Sequence, residues 1–212
     1  MRHQHVAIGL FSVLALAVWT IPGRTEMGPC RPNDLGNFFC GEGDGAARII
    51  PKTTSPSYRL ALAWRLNNRP ATYQPNEADP DLESLIVRIE DGAILAKSRG
   101  VYWNTGDRYA KQQYLSAAWS PDSRLLVRTA GTRDAPDSAE LFAFAEDDGI
   151  IGPFDLVKVL DPAVRAATKG MKYADEYVFR FSYQPELTID DQGLIHASVW
   201  METRDSGGPI II

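Results

Sequence analysis

Histidine is scarce in this chain: three in 212 residues, of which only His196 lies beyond residue 5. One imidazole is then the sole candidate of its type for general-base work over most of the length. Cysteine is scarcer, with Cys30 and Cys40 alone, too few ligands for a zinc centre of the Cys/His type. No Gly-x-Ser-x-Gly, no phosphate-cradling glycine loop and no His-Glu-x-x-His occurs. Basic runs are also missing. The formal net charge is −5 with no Lys/Arg block, which removes the electrostatic footprint that nucleic-acid binding needs. After residue 19 no apolar run approaches the roughly 20 residues of a membrane-spanning helix.

The first residues supply the one long apolar run. In MRHQHVAIGLFSVLALAVWTIPG, Arg2 precedes an apolar stretch from Val6 to Trp19, and Pro22-Gly23 follow. That three-part layout predicts a secretory signal peptide over 1–23, cut near Ala15-Leu16-Ala17 or after Gly23. The alternative is an uncleaved anchor. Cys30 follows Met27-Gly28-Pro29, which is no lipobox. Export places the chain in the periplasm or outside the cell, where cysteines pair. Cys30 and Cys40, with nine residues between them, then read as a disulfide stapling residues 24–45, and closing so short a loop contributes roughly 2–3 kcal/mol. The intervening RPNDLGNFF offers no metal-ligand set beyond Asp34 and its asparagines, and a redox pair more often has the C-x-x-C spacing. Residues 46–212 are of a length suited to a single domain.

From residue 46 the dominant period is two. In YRLALAWRL, Tyr58, Leu60, Leu62, Trp64 and Leu66 share one face, with Arg59 and Arg65 on the other. LIVRI (85–89) and AILAKS (93–98) flank Glu90-Asp91-Gly92, a hairpin signal. RLLVRT (124–129), ELFAFAE (140–146), YVFRFSY (177–183) and LIHASVWME (194–202) continue the alternation. One helix is predicted over 162–170, with Asp161 as N-cap, Pro162 at the first helical position and Gly170 as its stop. Two long loops remain, 67–81 and 100–113.

A weak internal repeat runs through these strands. SPSYRLAL (55–62) aligns without gaps on SPDSRLLV (120–127), an offset of 65, and DQGLIHASV (191–199) has the same turn-then-strand shape at an offset of about 69. Pro121 presets φ for a turn, Asp122 suits the next position, and Trp119 is placed to pack across the sheet.

WSPDSRLLV resembles the W-S-P-D-G-x-x-L/I element that opens a blade strand in TolB-type and related WD-repeat-like β-propellers, with Ser123 where glycine is usual. LIVRIEDGAILAKS resembles the hairpin between their inner strands. The resemblance implies a mainly β fold of propeller-like blades in an exported bacterial protein, and it implies no activity. Blades recur every 40-odd residues, however, and three units are fewer than the four blades a closed propeller needs. An incomplete or elaborated propeller and a β-sandwich therefore both fit.

Chemistry-bearing candidates each have a plainer reading. Asp205-Ser206-Gly207-Gly208-Pro209 resembles the surround of the trypsin-family nucleophile, but Arg204 replaces glycine and only six residues follow Ser206. A turn before a terminal strand is the expectation. His196 reads as a structural residue in a strand. The acidic groups Asp79-Asp81-Glu83, Asp147-Asp148 and Asp190-Asp191 border Gly or Pro and read as solvated turns, although paired carboxylates also serve calcium binding or glycoside hydrolysis. GEGDG (41–45) lacks EF-hand ligand spacing. The loop RGVYWNTGDRYAKQQY (99–114) concentrates Tyr102, Trp103, Asn104, Arg108 and Tyr109, the residue types that contact surfaces favour. Its plainer reading has Tyr102 and Trp103 capping the core.

The expectation is a non-enzymatic binding or interaction module of the cell envelope, contacting an envelope protein or carbohydrate through loop 99–114. It needs no cofactor, metal or nucleic acid, and no membrane beyond the signal segment. The competing expectations are a hydrolase built on Asp147, Asp148, Asp190 and Asp191, and an envelope subunit anchored by its first residues.

Overall fold

The computed structural model describes residues 26–33, 36–70, 82–98, 113–132, 135–167, 169, 177–181, 187–197, 199–203 and 210–211. Among them the architecture is mainly β, as expected. Strands β1 (Cys30–Pro32), β2 (Phe38–Cys40), β3 (Ala47–Ile49), β4 (Leu60–Leu66), β5 (Leu82–Arg88) and β6 (Ile94–Ser98) form one sheet in chain order. Strands β7 (Gln113–Trp119), β8 (Leu125–Thr132), β9 (Ala135–Phe144) and β10 (Ile150–Asp155) form a second, again in sequence. Helix α1 (Leu156–Ala167) follows, then β11 (Tyr177–Phe181), the hairpin β12 (Thr188–Ile189) and β13 (Ile195–His196), β14 (Val199–Thr203) and β15 (Ile210–Ile211). β14 pairs with both β11 and β15, and among the described residues no sheet closes on itself.

The two larger sheets pack face to face. Leu60, Leu62, Trp64, Ile86 and Leu95 of the first form one buried cluster with Leu115, Leu126, Phe142 and Phe144 of the second. Trp119 stacks against Phe144, ring centroids 5.4 Å apart, and its indole N–H donates to the carbonyl of Thr53 at 2.9 Å. The packing role expected of Trp119 is what the structure shows. An ion pair sits in the same layer: Arg128 of β8 faces Glu140 of β9 in register, 2.6 Å apart, both buried.

Each sheet's outer face has its own cover. On the first, N–H groups of Met27, Gly28 and Cys30 donate to the carbonyls of Gly92, Asp91 and Ile89, so the N-terminal segment crosses the end of the β5–β6 hairpin. Gly92 allows that crossing. Its φ is +68°, and a Cβ there would stand 2.1 Å from the carbonyl oxygen of Gly28. Cys30 and Cys40 are disulfide-bonded and cluster with Ala61, Ala63, Leu85 and Val87. β4 is consequently buried on both faces, and its alanines are the small residues that let the disulfide lie close. On the second sheet, Leu156 of α1 and Ile189 of β12 cover Val127 and Ala139.

Two expectations need correction. The helix begins at Leu156, six residues before Pro162, which lies in its interior. Asp155 is the cap, its Oδ1 accepting the Lys158 N–H at 3.2 Å. Leu156, Val157 and Leu160 pack on the sheet, and burying that first turn outweighs the hydrogen bond that Pro162 removes. Asp161 instead pairs with Arg165 one turn on, at 2.7 Å. Gly170 lies outside the described residues. Tyr58 is the second correction. Alternation placed it with Leu60 and Leu62, but it belongs to the turn before β4 and is 78% exposed.

Candidate functional site

The turns that open β4 and β8 are built from the same hydrogen bonds. In the first, the Tyr58 N–H donates to Ser55 O at 2.9 Å, the Ser55 N–H to Leu60 O at 2.8 Å, and the Leu60 N–H to Ser55 Oγ at 3.1 Å. In the second, Ser123 donates to Ser120 O at 2.8 Å, Ser120 to Leu125 O at 2.9 Å, and Leu125 to Ser120 Oγ at 2.8 Å. Tyr58 and Ser123, 65 positions apart, both adopt a left-handed backbone, φ 57° and 62°. The two turns thus share one hydrogen-bond pattern and one backbone conformation at an offset of 65 residues. The 190–194 turn is a shortened relative, with Gly193 at φ 78° donating to Asp190 O at 3.0 Å.

Ser123 earns its place over glycine by a contact. Its Oγ accepts the Ser57 N–H at 3.0 Å, tying one turn to the other across the two sheets. Asp122 is held below the ordinary carboxylate range by hydrogen bonds from the Ser120 hydroxyl and the Arg124 N–H.

These turns meet the β9–β10 hairpin at one end of the sheets and enclose a half-open depression of about 230 Å³. Arg59 and Arg124, each following the left-handed residue of its turn, both line it. Each is more than half exposed, and each clamps the hairpin: Arg59 bonds Asp148 at 2.7 Å, Arg124 bonds Glu146 at 3.0 Å. Leu60 and Phe144 supply an apolar floor. Asp148 also accepts Arg88 at 3.2 Å. Arg88 holds Asp91 in turn, lowering the Asp91 pKa, and its own pKa is raised by hydrogen bonding to Asp91 and Asp148. The Asp147-Asp148 pair is thus not simply a solvated turn, because Asp148 is buried.

The other candidates are dispersed. Asp190 Oδ1 accepts the N–H groups of Gln192 and Leu194, while Oδ2 lies 2.9 Å from His196 Nε2. The His196 contact leads the interactions that lower the Asp190 pKa. His196 lies in a strand, as expected, at the end of β13 with its side chain exposed. Glu83 pairs with Arg65 and Lys97. Burial raises its pKa, but those two partners together bring it below the ordinary value. Among the described residues no three His, Cys, Asp or Glu side chains gather as a metal site would require.

Tyr102, Trp103, Asn104, Arg108 and Tyr109 lie outside the described residues, as do Asp79, Asp81 and the Asp205–Pro209 motif. The flanking strand ends are described. Leu66 pairs with Leu82 and Ser84 with Ser98, while Gln113 pairs with Thr132, all at the ends of their sheets remote from the depression. Sequence reading missed the convergence of Arg59 and Arg124, although the gapless repeat alignment superposes them.

No family model, curated protein or solved structure matches the chain. No helix among the described residues is long and apolar enough to cross a membrane. The Cys30–Cys40 disulfide is consistent with an oxidising, exported location.

Proposed function

We propose that this chain is an exported, non-enzymatic binding module of the cell envelope, built on two propeller-like units related to the TolB and WD-repeat type. The observation that carries the reading is the duplicated scaffold: two antiparallel meanders, β3–β6 and β7–β10, whose second strands start from the same turn. Repeated units of this kind hold loops rigidly for recognition. The contact surface is loop 99–114, with Tyr102, Trp103, Asn104, Arg108 and Tyr109, and its partner is an envelope protein or carbohydrate. Residues 1–23 act as the export signal. A carboxylate hydrolase draws less support, since Asp148 is committed to Arg59 and Arg88, and Asp190 to its own turn and His196.

A pull-down from envelope extract tests this reading. Wild-type protein captures a partner that the Trp103→Ala/Arg108→Ala variant loses. An unchanged set of captured molecules removes loop 99–114 as the contact surface. N-terminal sequencing of the exported protein separates cleavage near residue 23 from retention as an anchor.

A further inference from the structure

We propose that the depression between the repeat turns binds one neutral sugar ring of a glycan, with Tyr58, Arg59 and Arg124 as its contact residues. The proposal deepens the binding-module reading but uses a different surface, at the opposite end of the sheets from the strand ends that flank residues 99–112.

Charge comes first. The lining holds two guanidiniums, Arg59 and Arg124, and three carboxylates, Asp122, Glu146 and Asp148, of which Asp148 is also neutralised by Arg88. An anion entering meets Asp122 and Glu146; a cation meets the arginines. A neutral polyhydroxyl ligand meets no like charge, and its vicinal hydroxyls can both donate and accept. The site is stocked for both roles, because guanidinium only donates and carboxylate only accepts. Arg59 and Arg124 are 56% and 59% exposed, so a ligand in the depression can reach both side chains.

Tyr58 is the independent observation. It lies in sequence between the lining residues Ser57 and Arg59. Its left-handed backbone is a conformation that glycine adopts freely and a bulky side chain adopts at a cost. Burial returns nothing to the fold, since the ring is 78% exposed. An aromatic left exposed at such a cost, next in the chain to two lining residues though not itself part of the lining, offers a flat apolar face for the C–H side of a pyranose held at the rim, as exposed aromatics do at contact surfaces.

The test is a ¹⁵N NMR titration of the protein with maltohexaose, cellohexaose and chitohexaose, which separate the possible glycan sources. Polygalacturonate and a polylysine peptide are the charged controls. At least one neutral oligosaccharide shifts the amides of Ser57, Tyr58, Ser123 and Glu146. Tyr58→Gly and Arg124→Ala each weaken it by about tenfold, as loss of a central contact does. The Trp103→Ala/Arg108→Ala variant shifts as wild type does. The proposal is overturned if only the charged polymers bind, if no neutral sugar moves these amides, or if Tyr58→Gly binds like wild type. Failure here with an intact pull-down difference leaves the loop reading standing, and the reverse outcome leaves this one.

Discussion

Asp148 of the second meander lies between Arg59 and Arg88 of the first, 2.7 Å from one guanidinium and 3.2 Å from the other. It joins two sheets whose strands share no backbone ladder. Asp148→Asn keeps a residue that tolerates the left-handed backbone and removes the charge. Arg88 retains Asp91 and Arg59 is exposed, so neither guanidinium is stranded. The expected loss is about 1.5–3 kcal/mol, typical of hydrogen bonds to a charged group. Arg59→Ala costs less, because the Arg59 guanidinium is itself more than half exposed and the buried Asp148 keeps Arg88. Urea midpoints for the two variants give the comparison, and equal losses would contradict the bridging role.

The two left-handed turn residues respond in opposite directions. Tyr58→Gly removes backbone strain without loss of buried surface and stabilises by about 0.5–1 kcal/mol. Ser123→Ala keeps the strain and removes the acceptor for the Ser57 N–H, a loss of about 1 kcal/mol. Thermal melts of both variants show whether the signs differ.

Arg128 and Glu140 are fully buried between the sheets. Arg128→Met alone leaves a buried carboxylate without its guanidinium and destabilises by about 3–5 kcal/mol. The double variant Arg128→Met/Glu140→Leu returns close to wild type or above it, because both desolvation penalties vanish. A denaturation cycle measures the coupling; additive losses would mean that the pair does not act as a unit.

Acid destabilises the fold through a particular carboxylate. Arg88 holds the Asp91 pKa below its ordinary 3.8, so the stability it contributes is complete above about pH 4 and is lost as pH falls through the depressed folded value. Asp122 and Glu83 act in the same direction. Urea midpoints fall steeply from pH 4 toward pH 2, and Asp91→Asn, less stable at neutral pH, shows a shallower fall. An unchanged slope in that variant excludes Asp91 as a main contributor.

Reduction of the Cys30–Cys40 bridge costs about 2–3 kcal/mol by loop entropy. The hairpin that it closes covers Ala61 and Ala63, so a dithiothreitol-treated sample melts earlier. A melt indifferent to reductant would show that β1 and β2 hold their place without the bond.

Much of the scaffold was legible from local pattern. Alternation located β4, the Glu90-Asp91-Gly92 signal located the β5–β6 hairpin, and the Ser-Pro-Asp-Ser turn located the start of β8. Where local signals competed with packing, the reading slipped. Asp161-Pro162 carries every mark of a helix start, but burial of Leu156 and Leu160 moved it to Asp155. Tyr58 fitted the alternation and stands outside the strand. The depression was invisible to any window, because Arg59 and Asp148 are 89 residues apart.

The covers on the two outer faces have a consequence for self-association. Stacked meanders invite further copies, since an uncovered sheet face is complementary to the next unit. Here the disulfide-closed hairpin occupies one face and α1 with the β12–β13 hairpin the other, and neither cover belongs to the repeat. Together they bury Ala61 and Ala63 on one sheet and Val127 and Ala139 on the other, so those positions are not available to a neighbouring copy.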